Sequence, residues 1–452
     1  MMNTSQLLDP EVVHRLAAEL SARDTWSRAA LLNLQHQRLE GLLAHAVSAS
    51  PYYRDTIGEA VAAGESLDRL PILTKTVLMN EWDRIVTDPR LRLRDVESHL
   101  AGERRADLLL GEYRPFATGG TTGERAVVVY SPTDWLDTIA NCMRWIQAMG
   151  AEADTRVIGI GAPTALHITN RAFAELRAGH ADAPRLSVLT PLPELVAHLN
   201  DYQPEMIFTY PSFARRLVEE HDAGRLRIHP RCIASTAEAL SNVVRTMVRD
   251  AWNARVIDSY GITEGGMLGC ECDASQGIHI AEDMVVFEVV DDDNRRVPDG
   301  TQGSKVLVTS LFNRTLPLIR YEISDLATLD AGQCPCGRPY ARVTSIEGRR
   351  EDYMVLPARD GECIRLHAAR LRAPLAGVPG LRQYQIAPME GRLILRLSMR
   401  SDADETASCA MATEVVQSAL RAAGADVSVS TEVVDTIERA GTGAKEKLVS
   451  LA

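Results

Sequence analysis

The sequence predicts an α/β protein with a large N-terminal domain and a small C-terminal α+β domain. Its 452 residues exceed what one ordinary hydrophobic core accommodates, so we expect two domains. Between residues 157 and 259, short apolar runs alternate with helical stretches. This pattern is typical of a mostly parallel sheet that helices cover on both faces. The residues after 350 instead combine strands with one long helix.

The N-terminal part of the chain is predicted to be helical. Across residues 11 to 90 the leucines recur at a partly helical spacing, and Ser50-Pro51 is expected to close the segment. The sequence Ser131-Pro132-Thr133-Asp134 indicates the start of a further helix. Apolar residues then recur at alternating four- and three-residue steps, which places them on one helix face. They are Trp135, Ile139, Cys142, Ile146 and Met149.

Five short apolar runs are predicted to be the buried strands of the central sheet. They are Val157 to Ile160, Leu186 to Leu189, Met206 to Thr209, Cys232 to Ser235 and Val256 to Ser259. Between them we expect helices around Leu195 to Leu199, Phe213 to Glu220 and Val243 to Trp252. Ligands of such sheets bind beyond the carboxyl ends of the strands, where Tyr210, Thr236 and Tyr260 fall.

After Asp283 the sequence is β-rich. Strands are expected at Val285 to Val290 and at Lys305 to Thr309, joined by turn residues, and they form a β-rich subdomain. Farther on, we expect strands near Gln383 to Ala387 and Leu393 to Leu397 and a helix from Ala407 to Ala422. We place the domain boundary at Arg350-Glu351-Asp352, which gives domains 1–349 and 350–452.

Composition excludes several classes of protein. The chain is 45% hydrophobic and 24% charged, as soluble globular proteins are, and its formal charge of -12 argues against nucleic acid as a principal partner. No apolar run reaches the ~18 residues of a membrane span, and the first ten residues lack the apolar part of a signal peptide. Without an export signal, the eight cysteines are expected to be free thiols or metal ligands, in the cytoplasm.

A Thr/Gly-rich loop is the first motif with chemical meaning. Its glycines let backbone N–H groups turn inward, and its threonines add hydroxyls, which together suit phosphate oxygens. The GxxxxGK[ST] spacing is absent, so this is not a Walker loop. The alternative is a surface turn without a ligand. The loop residues are Thr118, Gly119, Gly120, Thr121, Thr122 and Gly123.

The sequence Tyr260-Gly261-Ile262-Thr263-Glu264 is the most specific motif. It combines an aromatic ring, a hydroxyl and a carboxylate within five residues. The alternative is a tyrosine that packs before a helix. Much later, Lys445 lies in a glycine-flanked loop, which could deliver a cation to a reaction centre. Lys447 competes for that role, and a solvated tail is the alternative for both.

In this order the motifs resemble the acyl-adenylate-forming superfamily of AMP-dependent synthetases and ligases, specifically its phenylacetate–CoA ligase-like branch. The resemblance extends from Ser50-Pro51-Tyr52-Tyr53-Arg54 to the terminal lysine loop. It implies that the Thr/Gly loop binds pyrophosphate, and that Lys445 drives adenylation before a mobile C-terminal domain rotates about Glu351-Asp352. The superfamily often has a lysine directly after the loop, where this chain has Glu124-Arg125.

The resemblance also assigns nucleotide contacts, one residue at a time. It implies that Tyr260 stacks on adenine, Thr263 touches phosphate and Glu264 binds Mg²⁺. The other implied contacts are Ala237, Glu238 and Gly261 beside the nucleotide, Asp325 at the ribose hydroxyls, and Arg349 near ribose and phosphate.

The implied activity is ATP-dependent activation of a carboxylic acid to an acyl adenylate, with release of pyrophosphate and transfer to a nucleophile. CoA is the expected acceptor. A carrier-protein thiol, an amine or an inorganic nucleophile such as nitrite stays open, because superfamily members in specialised metabolism vary here. A non-catalytic nucleotide-binding relative and an unrelated phosphotransferase are the further alternatives. A homodimer stays open as an assembly.

Two further sets of residues are candidates, one for a metal site and one for the acid-binding pocket. Cys272, His279, Cys334 and Cys336 offer three thiolates and one imidazole, a complete tetrahedral set for structural zinc. Cys270 could replace Cys272, and reduced thiols beside an ordinary histidine are the alternative.

The acid-binding pocket is expected to include His167 and Tyr210, each of which follows a predicted strand, with Phe173 as a further aromatic contact. These side chains favour an aryl or substituted aryl acid. Phenylacetate itself is not indicated, because its ligases carry an aromatic- and glycine-rich stretch where this chain has Ala162 to Asn170. A histidine that only stabilises its loop is the alternative for His167.

Overall fold

The computed structural model describes residues 9–102, 107–118, 125–152, 154–162, 167–176, 186–274, 277–349, 353–359, 361–389, 391–400, 403–435, 437, 439–440 and 445–446. The chain divides into two compact units. The first comprises Met1–Leu240, Val244–Ile323 and Ala327–Ile346, and the second comprises Ser241–Val243, Ser324–Leu326 and Glu347–Ala452. The proposed boundary at residues 350 to 352 lies outside the described residues and stays a prediction.

The first unit begins with helices, as predicted. They are α1 (Pro10–Ser21), α2 (Arg28–Ala49), α3 (Pro51–Ala62), α4 (Lys75–Asn80), α5 (Trp82–Ile85) and α6 (Leu93–Ala101). The expectation that Ser50-Pro51 closes the helical segment is wrong. Ser50 ends α2 and also caps α3, because its hydroxyl accepts a hydrogen bond from the Tyr53 N–H and Pro51 occupies the first helical position. Proline is tolerated there since that N–H has no helical partner.

The helix predicted from Ser131 is present as α7 (Pro132–Ala148). Ser131 and Asp134 form a complete capping box, in which each side chain accepts a hydrogen bond from the other's backbone N–H. Asp134 is buried and also accepts hydrogen bonds from the Arg314 N–H and the Thr315 hydroxyl. The capping box therefore also joins the start of α7 to the loop that precedes Tyr321.

Helices and strands alternate as expected from residue 157 to residue 262, and strands follow up to residue 349. The helices are α8 (Ile168–Leu176), α9 (Leu192–Tyr202), α10 (Pro211–Asp222) and α11 (Asn242–Trp252). The strands are β1 (Arg114–Ala117), β2 (Val127–Tyr130), β3 (Val157–Gly161), β4 (Leu186–Ser187), β5 (Met206–Thr209), β6 (Cys232–Thr236), β7 (Arg255–Ile262), β8 (Gly266–Glu271), β9 (Ile278–Ile280), β10 (Val285–Val290), β11 (Lys305–Ser310), β12 (Tyr321–Ile323), β13 (Asp325–Asp330) and β14 (Arg342–Arg349).

Within the described part of the chain, nine strands form the main sheet, in the order β13-β14-β9-β8-β7-β6-β5-β3-β4. Strands β4, β3, β5, β6 and β7 are parallel, which confirms the predicted α/β fold, whereas β8, β9 and β14 continue the sheet antiparallel. The strand expected at Leu186 to Leu189 ends at Ser187, because the chain turns there and the Thr190 N–H donates to the Ser187 carbonyl oxygen.

Two smaller sheets complete the first unit. Strands β1 and β2 form an antiparallel hairpin, and β10, β11 and β12 form a separate antiparallel sheet, the predicted β-rich subdomain. The turn between β10 and β11 uses Asn294 at a φ of 67°, a left-handed conformation that asparagine tolerates better than most residues. All three sheets supply side chains to the hydrophobic core, among them Phe116, Tyr260 and Tyr321.

The second unit has a core of its own. Its elements are β15 (Tyr353–Pro357), β16 (Cys363–His367), α12 (Ala369–Ala376), β17 (Leu381–Met389), β18 (Arg392–Met399), α13 (Glu405–Ala422), β19 (Ser428–Val433), β20 (Arg439–Ala440) and β21 (Lys445–Glu446). Strands β17 and β18 pair antiparallel, and β19 pairs parallel to β18 after the α13 crossover. This is the expected α+β arrangement. Of the helices that the structure describes, none combines the length and apolar character needed to cross a membrane.

Candidate active site

The Thr/Gly-rich loop lies between the strands of the β1–β2 hairpin. Thr118 closes its base: its N–H donates to the Ala126 carbonyl oxygen at 2.9 Å, and its hydroxyl oxygen accepts from the Ala126 N–H at 2.9 Å. The loop residues Gly119 to Gly123 lie outside the described residues, so their phosphate contacts stay predictions.

The Tyr260-to-Glu264 motif forms the end of β7 and the turn into β8. The alternative of a tyrosine before a helix is wrong, because the chain returns as an antiparallel strand with Tyr260 opposite Gly269. A register shift follows at Gly261, where a Cβ atom would lie 3.1 Å from the Gly266 carbonyl oxygen. Glycine at 261 therefore permits the close approach of the two strands. Strand β7 continues to Ile262, three residues past its predicted end at Ser259, and the hairpin turn places Thr263 and Glu264 beyond the carboxyl end of this strand.

Tyr260 is buried, and its ring makes an edge-to-face contact with Phe287 at a centroid distance of 6.1 Å. The neighbouring strand β6 ends at Thr236, opposite Ser259, so that Ala237 follows beside Tyr260. Ala237 has a φ of 68°, an uncommon conformation for a residue with a Cβ atom, and such positions concentrate at ligand sites. The segment predicted to lie beside adenine is thus adjacent to the predicted adenine-stacking tyrosine.

Glu238 and Tyr210 lie at the carboxyl ends of neighbouring strands. The Glu238 carboxylate accepts a hydrogen bond from the Ser212 N–H at 3.2 Å, which joins the end of β6 to the first turn of α10. Tyr210 directly precedes α10 and is buried. A Cβ atom at Gly161, the last residue of β3, would lie 3.8 Å from the Tyr210 hydroxyl oxygen. The Tyr210 side chain therefore reaches from the end of β5 to the end of the neighbouring strand β3, where we expect the acid.

His167 lies at the start of α8, and its backbone carbonyl oxygen accepts hydrogen bonds from the Asn170 and Arg171 N–H groups. The Asn170 side chain donates to the Ala162 carbonyl oxygen at 2.9 Å. Phe173 packs on Gly159 of β3 and lies edge-on to Phe208 at a centroid distance of 5.1 Å. Phe173 therefore packs over the strands that lead to the predicted acid pocket.

Glu264 is a buried carboxylate, 6% exposed, and the Tyr321 hydroxyl donates to its Oε1 atom at 3.1 Å. The Tyr130 hydroxyl donates to the Thr263 carbonyl oxygen at 2.8 Å. Burial raises the pKa of Tyr130 well above its ordinary value, and the negative charges of Glu264 and Asp134 raise it further. Tyr130 is therefore a neutral donor throughout the physiological pH range.

Three predicted site residues belong to the second unit. Asp325 is buried and is the first residue of β13. Arg349 is the last residue of β14, and Lys445 is opposite Ala440 in the β20–β21 ladder. Their contacts with a nucleotide stay predictions.

The structure brings together the four predicted metal ligands. The donor atoms of Cys272, His279, Cys334 and Cys336 all lie within 4.8 Å of one another. The Cys272 and Cys334 sulfur atoms are 3.7 Å apart, and the Cys336 sulfur is 3.3 Å from the His279 Nε2 atom. Burial, with Arg338 adding to it, lowers the pKa of His279 to about 4, so its imidazole is neutral at physiological pH. Cys270, which is paired with His279 across β8 and β9, is not part of this cluster.

The loop that carries two of these cysteines contacts the N-terminal helices. The Arg338 guanidinium donates to the Asp24 carboxylate at 2.8 Å, and the Tyr340 hydroxyl donates to the same carboxylate at 3.0 Å. Arg28 donates to the Pro339 carbonyl oxygen at 2.8 Å and forms a two-pronged ion pair with Glu282. The cluster therefore belongs to a region that also holds residues 24 to 28 in place.

Sequence reasoning singled out Arg320-Tyr321 only as the segment that precedes Asp325, and it missed that Tyr321 and Tyr130 hold the Thr263–Glu264 turn. It also missed a partly buried group around Glu175, whose carboxylate accepts hydrogen bonds from Arg114, Arg171 and the Trp135 indole. This group joins the hairpin of the Thr/Gly loop to α7 and α8. The i, i+4 spacing of Arg171 and Glu175 was a usable signal for one of these pairs. The others join distant parts of the sequence.

Comparison with known proteins matches the part of the chain that contains the Thr/Gly-rich loop and the Tyr260-to-Glu264 motif. A family model described as AMP-binding enzyme matches residues 116–309. A phenylacetate-coenzyme A ligase of Thermus thermophilus is 27% identical over 390 residues, 80% of this chain and 79% of that protein. A phenylacetate-coenzyme A ligase of Pseudomonas putida is 28% identical over 350 residues, 75% of each chain.

A solved structure shows the same fold. It is that of a 2-hydroxyisobutyryl-CoA ligase in the postadenylation state, in complex with 2-HIB-AMP. It superposes with a TM-score of 0.75 at 23% identity, over 95% of this chain and 91% of the other.

Proposed function

Because the chain belongs to the acyl-adenylate-forming superfamily, in its phenylacetate–CoA ligase-like branch, we propose that it joins a carboxylic acid to CoA through an acyl adenylate. In the first step the acid carboxylate attacks the α-phosphorus of ATP, and pyrophosphate leaves. In the second step the CoA thiol attacks the acyl carbon, AMP leaves and a thioester forms. The enzyme is thus an AMP-forming acid ligase.

The observation that carries this proposal is the β7–β8 hairpin. It places the aromatic ring of Tyr260, the hydroxyl of Thr263 and the carboxylate of Glu264 within five consecutive residues, beyond the carboxyl end of the parallel strands. That is where such sheets bind ligands. A carboxylate is a suitable ligand for Mg²⁺, and Glu264 is the residue that would hold it. When bound with ATP, Mg²⁺ offsets the negative charge of the phosphates.

The remaining predicted residues complete the proposed nucleotide site. Thr118, with the threonines of its loop, binds the pyrophosphate part of ATP through its hydroxyl group. Ala237 and Glu238 lie beside the adenine ring, and Asp325 accepts hydrogen bonds from the ribose hydroxyls. Arg349 contacts ribose and phosphate. Lys445 neutralises the charge that develops between the carboxylate and the α-phosphate.

We propose an aryl or substituted aryl acid as the substrate. The buried Tyr210 and the Phe173–Phe208 pair are arranged around the carboxyl half of β3 and β5, and His167 begins the adjacent helix. Aromatic side chains recognise aromatic rings through edge-to-face and offset-stacked contacts. The two bacterial relatives are phenylacetate-coenzyme A ligases, which supports an aryl acid of some kind.

ATP–pyrophosphate exchange with a panel of aryl, amino-aryl and short acyl acids, without acceptor, tests the first step. Exchange with at least one aryl acid is expected, and added CoA should then yield a thioester. Exchange without thioester would replace CoA by a carrier-protein thiol, an amine or nitrite. ATP binding without exchange for any acid would favour a non-catalytic relative. Lys445→Ala should lower exchange by about 100-fold or more, with Lys447→Ala as the matched control.

We also propose that Cys272, His279, Cys334 and Cys336 hold one structural zinc ion. Two thiolates that bind one zinc ion at about 2.3 Å in a tetrahedron lie about 3.8 Å apart. The observed separation of 3.7 Å between Cys272 and Cys334 fits that geometry. Three of the four residues are buried, and all four coordination positions would be filled by the chain, as structural sites require.

A further inference from the structure

The turn that carries Glu264 receives hydrogen bonds from two buried tyrosines. Tyr321 donates to the Glu264 carboxylate at 3.1 Å and Tyr130 to the Thr263 carbonyl oxygen at 2.8 Å. Tyr321 is 1% exposed and Tyr130 0%. Two consecutive residues of the motif are thus each held by a phenolic hydroxyl, from two different strands outside the main sheet.

The hydroxyl of Tyr130 is not needed for the packing of its ring. The Tyr130 ring is enclosed by Phe116 and Trp135, each at a centroid distance of 5.8 Å, and a phenylalanine would fill the same space. A buried hydroxyl is costly unless it forms a hydrogen bond. The contacts with Thr263 and Glu264 therefore give these two residues a reason to be tyrosine.

Both tyrosines are themselves firmly placed. Tyr130 ends β2, the strand that returns from the Thr/Gly-rich loop. Tyr321 begins β12 and pairs with Val308 of β11. The preceding Arg320 has a φ of 49°, and its guanidinium is buried, pairs with Glu288 and donates to the Leu70 carbonyl oxygen at 2.6 Å. Because these contacts hold Arg320 in place, the backbone directly before Tyr321 is fixed, and this limits the movement of the Tyr321 ring.

We propose that Tyr321 and Tyr130 are positioning residues for Mg²⁺–ATP: Tyr321 orients the Glu264 carboxylate, and Tyr130 joins the hairpin of the phosphate loop to the metal-binding turn. This inference rests on the proposed function. A neutral donor restricts the rotation of a carboxylate and stabilises its charged form. Residues that orient a metal ligand in this way change metal affinity or activity by about 10- to 100-fold when they are removed.

The test compares Tyr321→Phe, Tyr130→Phe and the control Tyr340→Phe in the full chain. Tyr340 is also buried, and its hydroxyl donates to the Asp24 carboxylate at 3.0 Å, so the control loses a buried hydrogen bond that does not involve the turn. Calorimetric titration with ATP at increasing Mg²⁺, and in EDTA, measures the Mg²⁺ dependence of ATP binding. Thermal unfolding of each variant shows that it is folded.

Tyr321→Phe should raise the half-saturating Mg²⁺ concentration about 10-fold, with ATP affinity in EDTA unchanged. Tyr130→Phe should shift it in the same direction by a smaller factor, and Tyr340→Phe should not shift it. When Tyr321→Phe is combined with Glu264→Gln, it should have no further effect on the Mg²⁺ dependence. Two results would overturn this inference alone, provided that the wild type binds Mg²⁺–ATP. In the first, Tyr321→Phe has the same half-saturating Mg²⁺ concentration as the wild type. In the second, Tyr321→Phe raises that concentration by the same factor whether residue 264 is glutamate or glutamine. A wild type that does not bind Mg²⁺–ATP overturns the proposed function as well.

Discussion

The two ends of strand β8 present opposite kinds of ligand chemistry. The turn before the strand carries Glu264, a hard oxygen ligand. The residue after the strand is Cys272, whose soft thiol belongs to the Cys/His cluster. Six residues of an extended strand span about 20 Å. One short strand therefore separates the proposed magnesium site from the proposed zinc site.

The difference between the two ends lies in how many ligands the chain supplies. At the Cys/His end, four donors converge from two segments, so a zinc ion would be fully coordinated without substrate. At the Glu264 end, Mg²⁺ would depend on ATP phosphates and water to complete its coordination. The first site is therefore expected to be permanent and structural, and the second to be occupied only with substrate. Substitutions at one end or the other should therefore change either the structural zinc site or the substrate-dependent magnesium site, but not both.

The largest expected effect is that of Glu264→Gln. The neutral amide keeps the size of the side chain but is a much weaker magnesium ligand, so ATP–pyrophosphate exchange should fall by about 100-fold or more. Zinc content and thermal unfolding should stay close to wild type, because the cluster lies at the other end of β8. Glu65→Gln, at an exposed carboxylate, is the matched control. Undiminished exchange would remove Glu264 from the proposed site.

The next effect is that of Cys334→Ser. Elemental analysis should find about one zinc ion per chain in the wild type and almost none in the variant, since three donors bind zinc much more weakly than four. The temperature of unfolding should fall by roughly 5–10 °C. Cys363→Ser, at an exposed cysteine of the second unit, should change neither quantity. The proposal would be contradicted if the wild-type protein contained no zinc and unfolded at the same temperature as Cys334→Ser.

Loss of zinc should also loosen the N-terminal segment. Arg338 and Tyr340 follow the cysteines closely and hold Asp24, so disorder of the cluster should weaken these contacts. In Cys334→Ser, hydrogen exchange should increase across residues 22–28 and stay unchanged in the β17–β18 hairpin of the second unit. Equal protection of residues 22–28 in both proteins would show that the N-terminal contacts do not depend on the metal.

The two ends also differ in what the sequence could predict. Tyr260 to Glu264 is one continuous motif, and the strand-and-turn pattern around it was enough to place Tyr260 at the carboxyl end of the parallel strands. The Cys/His cluster joins positions about 60 residues apart, yet thiolate and imidazole chemistry identified the set, because so few residue types bind zinc. Only the structure separated Cys272 from Cys270, since just one of the two cysteines brings its sulfur into the cluster.

What the sequence could not show are contacts between distant segments. Tyr130 ends the apolar run from Val127 and gives no sign of a partner at Thr263, 133 residues later. The hydrogen bond of Tyr321 to Glu264 spans 57 residues. Such pairs depend on the relative placement of three sheets, which no local periodicity encodes. Helix ends were easier, and the error at Ser50-Pro51 arose because the same residues can end one helix and begin another.

The smallest expected effect concerns Asp258, which lies on β7 beside the cluster end of β8. Its N–H donates to the Glu271 carboxylate at 2.9 Å, and burial, with the charge of Glu271 adding to it, raises the pKa of the Asp258 carboxyl to about 7. The unfolded chain ionises this group at a pKa of about 3.9. Between these values the folded state binds more protons than the unfolded state, so the free energy of unfolding decreases as pH rises from about 4 to about 7 and is level above.

Asp258→Asn removes this ionisation and retains an acceptor for the Ser259 N–H, which donates to the Asp258 carboxylate at 3.1 Å in the wild type. The stability of the variant relative to wild type should therefore increase from pH 5 to pH 8, by a few degrees in unfolding temperature. Asp250→Asn, at an exposed carboxylate, should show the same difference from wild type at both pH values. A difference for Asp258→Asn that does not change with pH would mean that Asp258 is already ionised at pH 5. In that case the positive charge of Arg245, which pairs with Glu271 at 2.7 Å, offsets the charges of both the Asp258 and the Glu271 carboxylates. Burial of the ionised Asp258 would then not lower the free energy of unfolding at neutral pH.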